Sequence, residues 1–162
     1  METVQLNQHV PDFVAQATSQ KDVLLSALRG WKVIFYFYPK DNTPGCTIES
    51  QDFRDNYEDF KAAKTCIFGI SKDLLKSHES FKEDQKLPFE LISDTDGQLC
   101  KLFDVIRAHS MHGHQVTSME RSTFLIDEHG VLINEWRKVR VNGHVEEVLE
   151  TVQSPVTERV TG

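Results

Sequence analysis

Residues 33–38, VIFYFY, limit most sharply what this chain can fold into. Six consecutive apolar and aromatic residues are too few for a helix, and their types favour an extended chain, so the run predicts a buried strand. The next segment predicts a helix. Phe53, Tyr57 and Phe60 recur at i, i+4 and i+7 with acidic residues between them, the pattern of one apolar helix face. Thr43 suits the N-cap, and Pro44 suits the first helical position, where a missing N–H is no loss. Cys46 then falls third in the first turn, a slot often filled by a carboxylate. There, unpaired backbone N–H groups and the positive end of the helix dipole favour an anion, so the local sequence is arranged to hold a thiolate.

The rest of the chain repeats the alternation. TCIFGIS at 65–71 reads as a strand, DLLKSHESFKEDQK at 73–86 as an amphipathic helix and FELISD at 89–94 as a strand. DTDG at 94–97 marks a turn, after which Leu99, Leu102, Phe103 and Ile106 take helical spacing. STFLID at 122–127 and VLINEWRKV at 131–139 flank Glu128-His129-Gly130, which suits a hairpin, and HVEEVLETVQ forms the last helix. Parallel β-α-β units, then a hairpin and a closing helix, describe an α/β thioredoxin-like fold, a mixed central sheet flanked by helices. The expectation is a single domain over 1–162, with 154–162 (SPVTERVTG) as a loose tail.

Composition narrows the function. With 25 acidic against 18 basic side chains, a net charge of -7 argues against nucleic acid as a partner. The longest apolar run has six residues, too short to span a membrane, and METVQLNQHV lacks the layout of a signal peptide. A cytoplasmic location is the expectation. Three cysteines, at 46, 66 and 100, form no C-x-x-C pair, which fits neither a disulfide-stapled secreted domain nor a zinc ribbon.

A reactive cysteine works as its thiolate, and an unperturbed thiol, with a pKa of ~8.5, supplies only a few per cent of it at neutral pH. A helix terminus contributes ~0.3 to 1 kcal/mol, less than the ~1.36 kcal/mol of one pKa unit. A nearby fixed cation could add ~1 to 3 units, so the question becomes which Arg or Lys is aimed at Cys46.

With that question in view, the chain resembles the peroxiredoxins. Pro39-x-x-x-Thr43-x-x-Cys46 at the end of the strand, together with Arg121 opening RSTFLID, is similar to the active-site set of that family. YFYPKDNTPGCT, FGISKD and RSTFLID narrow the resemblance to the bacterioferritin comigratory protein, or peroxiredoxin Q, branch, over about Pro11 to the last helix. The resemblance implies a thiol-dependent peroxidase that reduces hydrogen peroxide and organic hydroperoxides through a Cys46 sulfenic acid. It also implies that Thr43 hydrogen-bonds the thiolate and the peroxide, and that Arg121 lowers the thiol pKa and polarises the O–O bond. Pro39 would shield the thiolate from water, the Gly45 and Cys46 N–H groups would hold the leaving oxygen, and Glu49 would orient Arg121. No metal or organic cofactor is implied. The plain alternatives are a structural Cys46, a Thr43 that only caps the helix, a Pro39 that only ends the strand, a solvated Arg121 and a Glu49 that is merely a first-turn acid.

The sequence departs from this branch in one respect. Many members carry a resolving cysteine five residues after the first, and here that position is Gln51. Cys66 lies in an apolar strand and reads as a packed residue. Cys100 lies on the flank of its helix, about 100° around from Leu99, where it either packs or meets an unwound Cys46 as a candidate resolving thiol. The expected cycle is of the one-cysteine type, with thioredoxin, glutaredoxin or glutathione as reductant and the protein a monomer or homodimer. His109, His112 and His114 offer three imidazoles in six residues, read as an exposed loop in preference to a Zn or Ni site. Rival functions are a disulfide exchanger, which would want C-x-x-C, an interaction module without activity, and a two-cysteine peroxidase using Cys100.

Overall fold

The computed structural model describes residues 3–154, so the expected tail lies, beyond Ser154, outside the described residues. The strands are β1 (Val14–Ala17), β2 (Lys21–Leu24), β3 (Lys32–Phe37), β4 (Thr65–Ser71), β5 (Glu90–Ser93), β6 (Ile106–Met111), β7 (His114–Met119), β8 (Ser122–Ile126) and β9 (Leu132–Trp136). The helices are α1 (Pro44–Asp55), α2 (Tyr57–Ala62), α3 (Leu75–Gln85), α4 (Gln98–Leu102) and α5 (His144–Gln153). Seven strands form one sheet in the order β2-β1-β5-β4-β3-β8-β9, while β6 and β7 form a separate ribbon. β3, β4 and β5 run parallel, and β1 and β8 pair antiparallel to β5 and β3. The sheet is therefore mixed, as the alternation of elements predicts.

Alternation along β3 divides the core in two, because successive side chains of a strand point to opposite faces. Val33, Phe35 and Phe37 pack with the N-terminal segment and with Leu99, Cys100 and Phe103 of the α4 region. Ile34, Tyr36 and Tyr38 pack on the other face with Cys46, Phe53, Phe60, Phe81 and the Val145, Val148 and Val152 stripe of α5. Tyr36 seats α1. Its ring stacks on Phe53 at 4.6 Å between centroids, and its hydroxyl meets the Ser50 hydroxyl at 2.9 Å. Across the parallel register Tyr36 faces Gly69, where a Cβ would come within 2.7 Å of the Tyr36 ring, so only glycine leaves room for it.

Four local expectations need correction. The helix expected through Phe53, Tyr57 and Phe60 is two helices, broken at Asn56, whose side-chain amide donates to the Asp52 carbonyl at 2.9 Å. α4 stops at Leu102, and Ile106 opens β6 instead of extending the helix. The hairpin β1–β2 is an addition to the expected elements, because no glycine or asparagine marks its turn; Ser19 and Gln20 adopt positive φ there. The segment with His109, His112 and His114 is an exposed β-ribbon in place of a loop, turning on His112 (φ 51) and Gly113 (φ 80). Two consecutive positive-φ residues give the turn that matches strand twist. The ribbon is illegible in the sequence because its mostly exposed strands carry no apolar alternation.

Candidate active site

The register of β3 against β8 creates the site. Phe37 pairs with Ser122, so the residue before Ser122, Arg121, emerges beside the end of β3 and the loop that leads into α1. That loop delivers Cys46 as the third residue of α1 after Pro44. Arg121 Nη2 donates to Cys46 Sγ at 3.2 Å, joining residues 75 apart in sequence. Arg121 Nη1 donates to Glu49 Oε1 at 2.6 Å, so the guanidinium is held at both ends. Gly45 fits closely beneath it, as a Cβ there would lie 3.3 Å from Nη2.

Electrostatics keep the guanidinium charged. Burial alone would draw down the pKa of Arg121, but the Glu49 carboxylate and the Cys46 sulfur raise it, so the cation is secure. Glu49 is fully buried, and burial pushes its carboxyl up to about 7 against the pull of Arg121. Its second oxygen, Oε2, finds no partner among the described residues.

The other expected residues divide into two groups. Thr43 takes the extended backbone of an N-cap, yet its side chain makes no cap hydrogen bond; its hydroxyl donates to the Lys40 carbonyl at 2.9 Å. The Thr43 side chain thus does not cap the first-turn N–H groups of α1. Pro39 is exposed. Cys46 itself is withdrawn from water, 1% exposed, by its place in the aromatic cluster under Arg121. Cys100 is equally buried but belongs to the cluster on the opposite face of the sheet, so meeting Cys46 would require crossing the sheet. Its thiol pKa is pushed far up, by burial and then by Asp94. Cys66 sits half-buried on that same face, its thiol pushed up to about 12 by burial.

Residues beyond the motif surround the loop. The Asp41 carboxylate accepts from Tyr38 Oη at 2.6 Å and Ser77 Oγ at 2.8 Å, and lies 2.7 Å from His78 Nδ1. Burial would raise its pKa, but the hydrogen bonds and charge of His78, with Tyr38 and Ser77, hold it below the usual range. The sequence pattern singles out neither Asp41 nor His78, although His78 is legible in principle. It stands three residues before Phe81, so it shares the inward face of α3, and both are buried.

Comparison with known proteins identifies the family. Residues 6–134 match the AhpC/TSA family. The chain is 44% identical over 151 residues to peroxiredoxin Bcp of Bacillus subtilis, covering 93% of this chain and 96% of that one. It is 44% identical over 147 residues to a putative peroxiredoxin of Coxiella burnetii, covering 91% and 97%. Among solved structures, the bacterioferritin comigratory protein of Xanthomonas campestris, studied for alkyl peroxide reduction, superposes with a TM-score of 0.88. The two are 39% identical, over 92% of this chain and 98% of that one.

Proposed function

The chain belongs to the AhpC/TSA family and is a thiol-dependent peroxidase, a peroxiredoxin of the bacterioferritin comigratory protein branch, and on that premise we propose that Cys46 is its peroxidatic nucleophile. The observation that carries the assignment is the Arg121 N–H donated to Cys46 Sγ at 3.2 Å while Glu49 fixes the other end of the guanidinium. The Cys46 thiolate attacks the nearer peroxide oxygen, the O–O bond breaks, and sulfur becomes sulfenic acid as the leaving hydroxide or alkoxide departs and takes up a proton. Arg121 and the Gly45 and Cys46 N–H groups stabilise charge building on the oxygens. The Thr43 hydroxyl hydrogen is engaged by Lys40, so its oxygen is free to accept the O–H of a hydroperoxide. Hydrogen peroxide and alkyl hydroperoxides are the substrates this arrangement suits.

The cycle we infer is of the one-cysteine type. Gln51 holds the place of the usual resolving thiol, and its amide donates to Gln85 at 2.7 Å, fastening α1 to the end of α3. Cys66 and Cys100 stand on the far face of the sheet. An external thiol therefore reduces the sulfenic acid, with thioredoxin, glutaredoxin or glutathione as the candidates, in a cytoplasmic monomer or homodimer. No helix among the described residues is long and apolar enough to cross a membrane.

The test is the intact mass of reduced protein after one equivalent of hydrogen peroxide, with peptide mapping of all three cysteines. Gain of one oxygen at Cys46 is expected. Loss of two hydrogens with Cys46 joined to Cys66 or Cys100 would overturn the one-cysteine cycle, and oxidation elsewhere would overturn the role of Cys46.

A further inference from the structure

The loop Pro39–Thr43 has little regular structure of its own, yet Thr43 must present its oxygen with sub-ångström accuracy for the reaction above. Three buried groups fix it. Asp41 is 4% exposed and His78 and Tyr38 are fully buried. The Asp41 side chain gathers Tyr38, Ser77 and His78, and its backbone N–H donates to Asp73 Oδ2 at 2.9 Å. Asp73 is braced in turn by Ser71 Oγ at 2.6 Å. His78 spans the layers, with Nδ1 on Asp41 and Nε2 at 3.0 Å from the Ile92 carbonyl of β5. The next residue along the loop, Asn42, takes φ 64, the left-handed setting that asparagine tolerates better than most side chains.

We propose that the Asp41–His78 pair is a positioning element of the peroxidase site, clamping the loop to α3, β4 and β5 so that the Thr43 oxygen stands where an incoming hydroperoxide needs an acceptor. The inference rests on Cys46 being the peroxidatic thiol. Asp41, Asp73 and His78 also offer three ligand atoms within 4.8 Å of one another. A cation does not account for them, because His78 Nδ1 touches Asp41 Oδ2 directly and each carboxylate already accepts hydrogen bonds. The polar groups of the cluster bond to one another and reach Thr43 through the loop: the Asp41 backbone leads to Asn42 and Thr43, whose hydroxyl returns to Lys40, while Tyr38 also packs in the apolar cluster that holds Cys46. Arg121 and Glu49 secure the thiol from the helix side, and the Asp41–His78 pair secures the acceptor from the loop side.

The experiment compares two second-order rate constants of Cys46, with hydrogen peroxide and with iodoacetamide, in the wild type and in His78→Leu, His78→Gln and Ser77→Ala. Alkylation needs a nucleophilic sulfur but no hydroperoxide acceptor, so their ratio separates positioning from general disturbance. His78→Leu is expected to lower the peroxide constant by about 10- to 100-fold, the scale of an ångström's misplacement, while alkylation shifts by less than about threefold. His78→Gln, which keeps a donor towards Asp41, restores most of the loss. An equal fall with both reagents, or no fall, overturns the proposal. If His78→Leu does not fold, Ser77→Ala decides, since it deletes one half-buried hydrogen bond; its ratio is expected to drop by about threefold, and an unchanged ratio overturns the clamp. A wild type whose Cys46 resists peroxide removes the premise itself, whereas normal wild-type oxidation with unaltered ratios removes the clamp alone.

Discussion

Cys46 and Cys100 occupy the same place in two helices: each is the third residue of a first turn, after Pro44-Gly45 in α1 and after Gln98-Leu99 in α4, and each is 1% exposed. Their surroundings differ in sign. In α1 the cap side chain turns away to Lys40, and a guanidinium N–H points at the sulfur. In α4 the Asp94 carboxylate already accepts the Leu99 and Cys100 N–H groups at 2.9 and 2.8 Å. Burial and that carboxylate push the Cys100 thiol far up. The same buried helix start thus comes in two settings, one with a cation aimed at the sulfur and one whose N–H groups a carboxylate already fills.

The comparison predicts its own extremes. Cys46→Ser should abolish peroxide consumption, a loss on the order of 10³-fold or more, whereas Cys100→Ser should leave it within about twofold; a dithiothreitol-coupled peroxide assay reads both. If the two variants proved equal, the assignment would fail. Arg121→Met should cost roughly 10²- to 10³-fold in the rate of Cys46 oxidation, as for other lost charge-stabilising donors, measured by stopped flow at constant protein fold.

Glu49 sharpens the contrast through pH. Its folded pKa, about 7, stands above the ordinary 4.5, so the folded protein binds the extra proton between those values. Its contribution to stability is complete below pH 4.5 and is lost as pH rises through 7, by up to about 1.4 kcal/mol per pH unit. Glu49→Gln should remove that loss, seen as the difference between variant and wild-type denaturation midpoints at pH 5 and pH 8. Taking the difference matters because His144, pushed down to about 4 by burial and then by Arg121, gains stability as pH rises through 4 to 6.5 and is common to both proteins. Parallel pH curves for variant and wild type would contradict the raised carboxyl. The smallest effect belongs to Asp94→Ala, which uncaps α4 at a cost of about 1 kcal/mol. Cys100 should stay unalkylated in the native protein, because burial persists, and rapid labelling at Cys100 would show that Asp94 alone kept it silent.

Strong local signals in the sequence survive folding. VIFYFY is buried and all but its last residue lies in the interior strand β3, TCIFGIS is β4 residue for residue, and HVEEVLETVQ is α5. The Thr-Pro-Gly-Cys start of α1 places Cys46 third in the helix, and Arg121 reaches it with Glu49 behind. The β6–β7 ribbon leaves no such signal, because exposed strands need no apolar alternation. Thr43 caps less than its residue type suggests, because the rotamer that donates to the Lys40 carbonyl makes no bond to a first-turn N–H.

What the sequence determined by itself was therefore one-dimensional: which segments must be buried, where a helix begins, which thiol comes after Thr-Pro-Gly. What only the tertiary structure decided was pairing across the sheet. The side-chain period of two along β3 places Cys46 with Tyr36 and Tyr38, and Cys66 and Cys100 with Val33 and Phe35 on the reverse. The antiparallel register of β3 with β8 carries Arg121 to the sulfur, and the docking of α3 brings His78 under Asp41. The last two contacts join residues 75 and 37 positions apart, and their energies depend on distance in space, which no local pattern in the chain records.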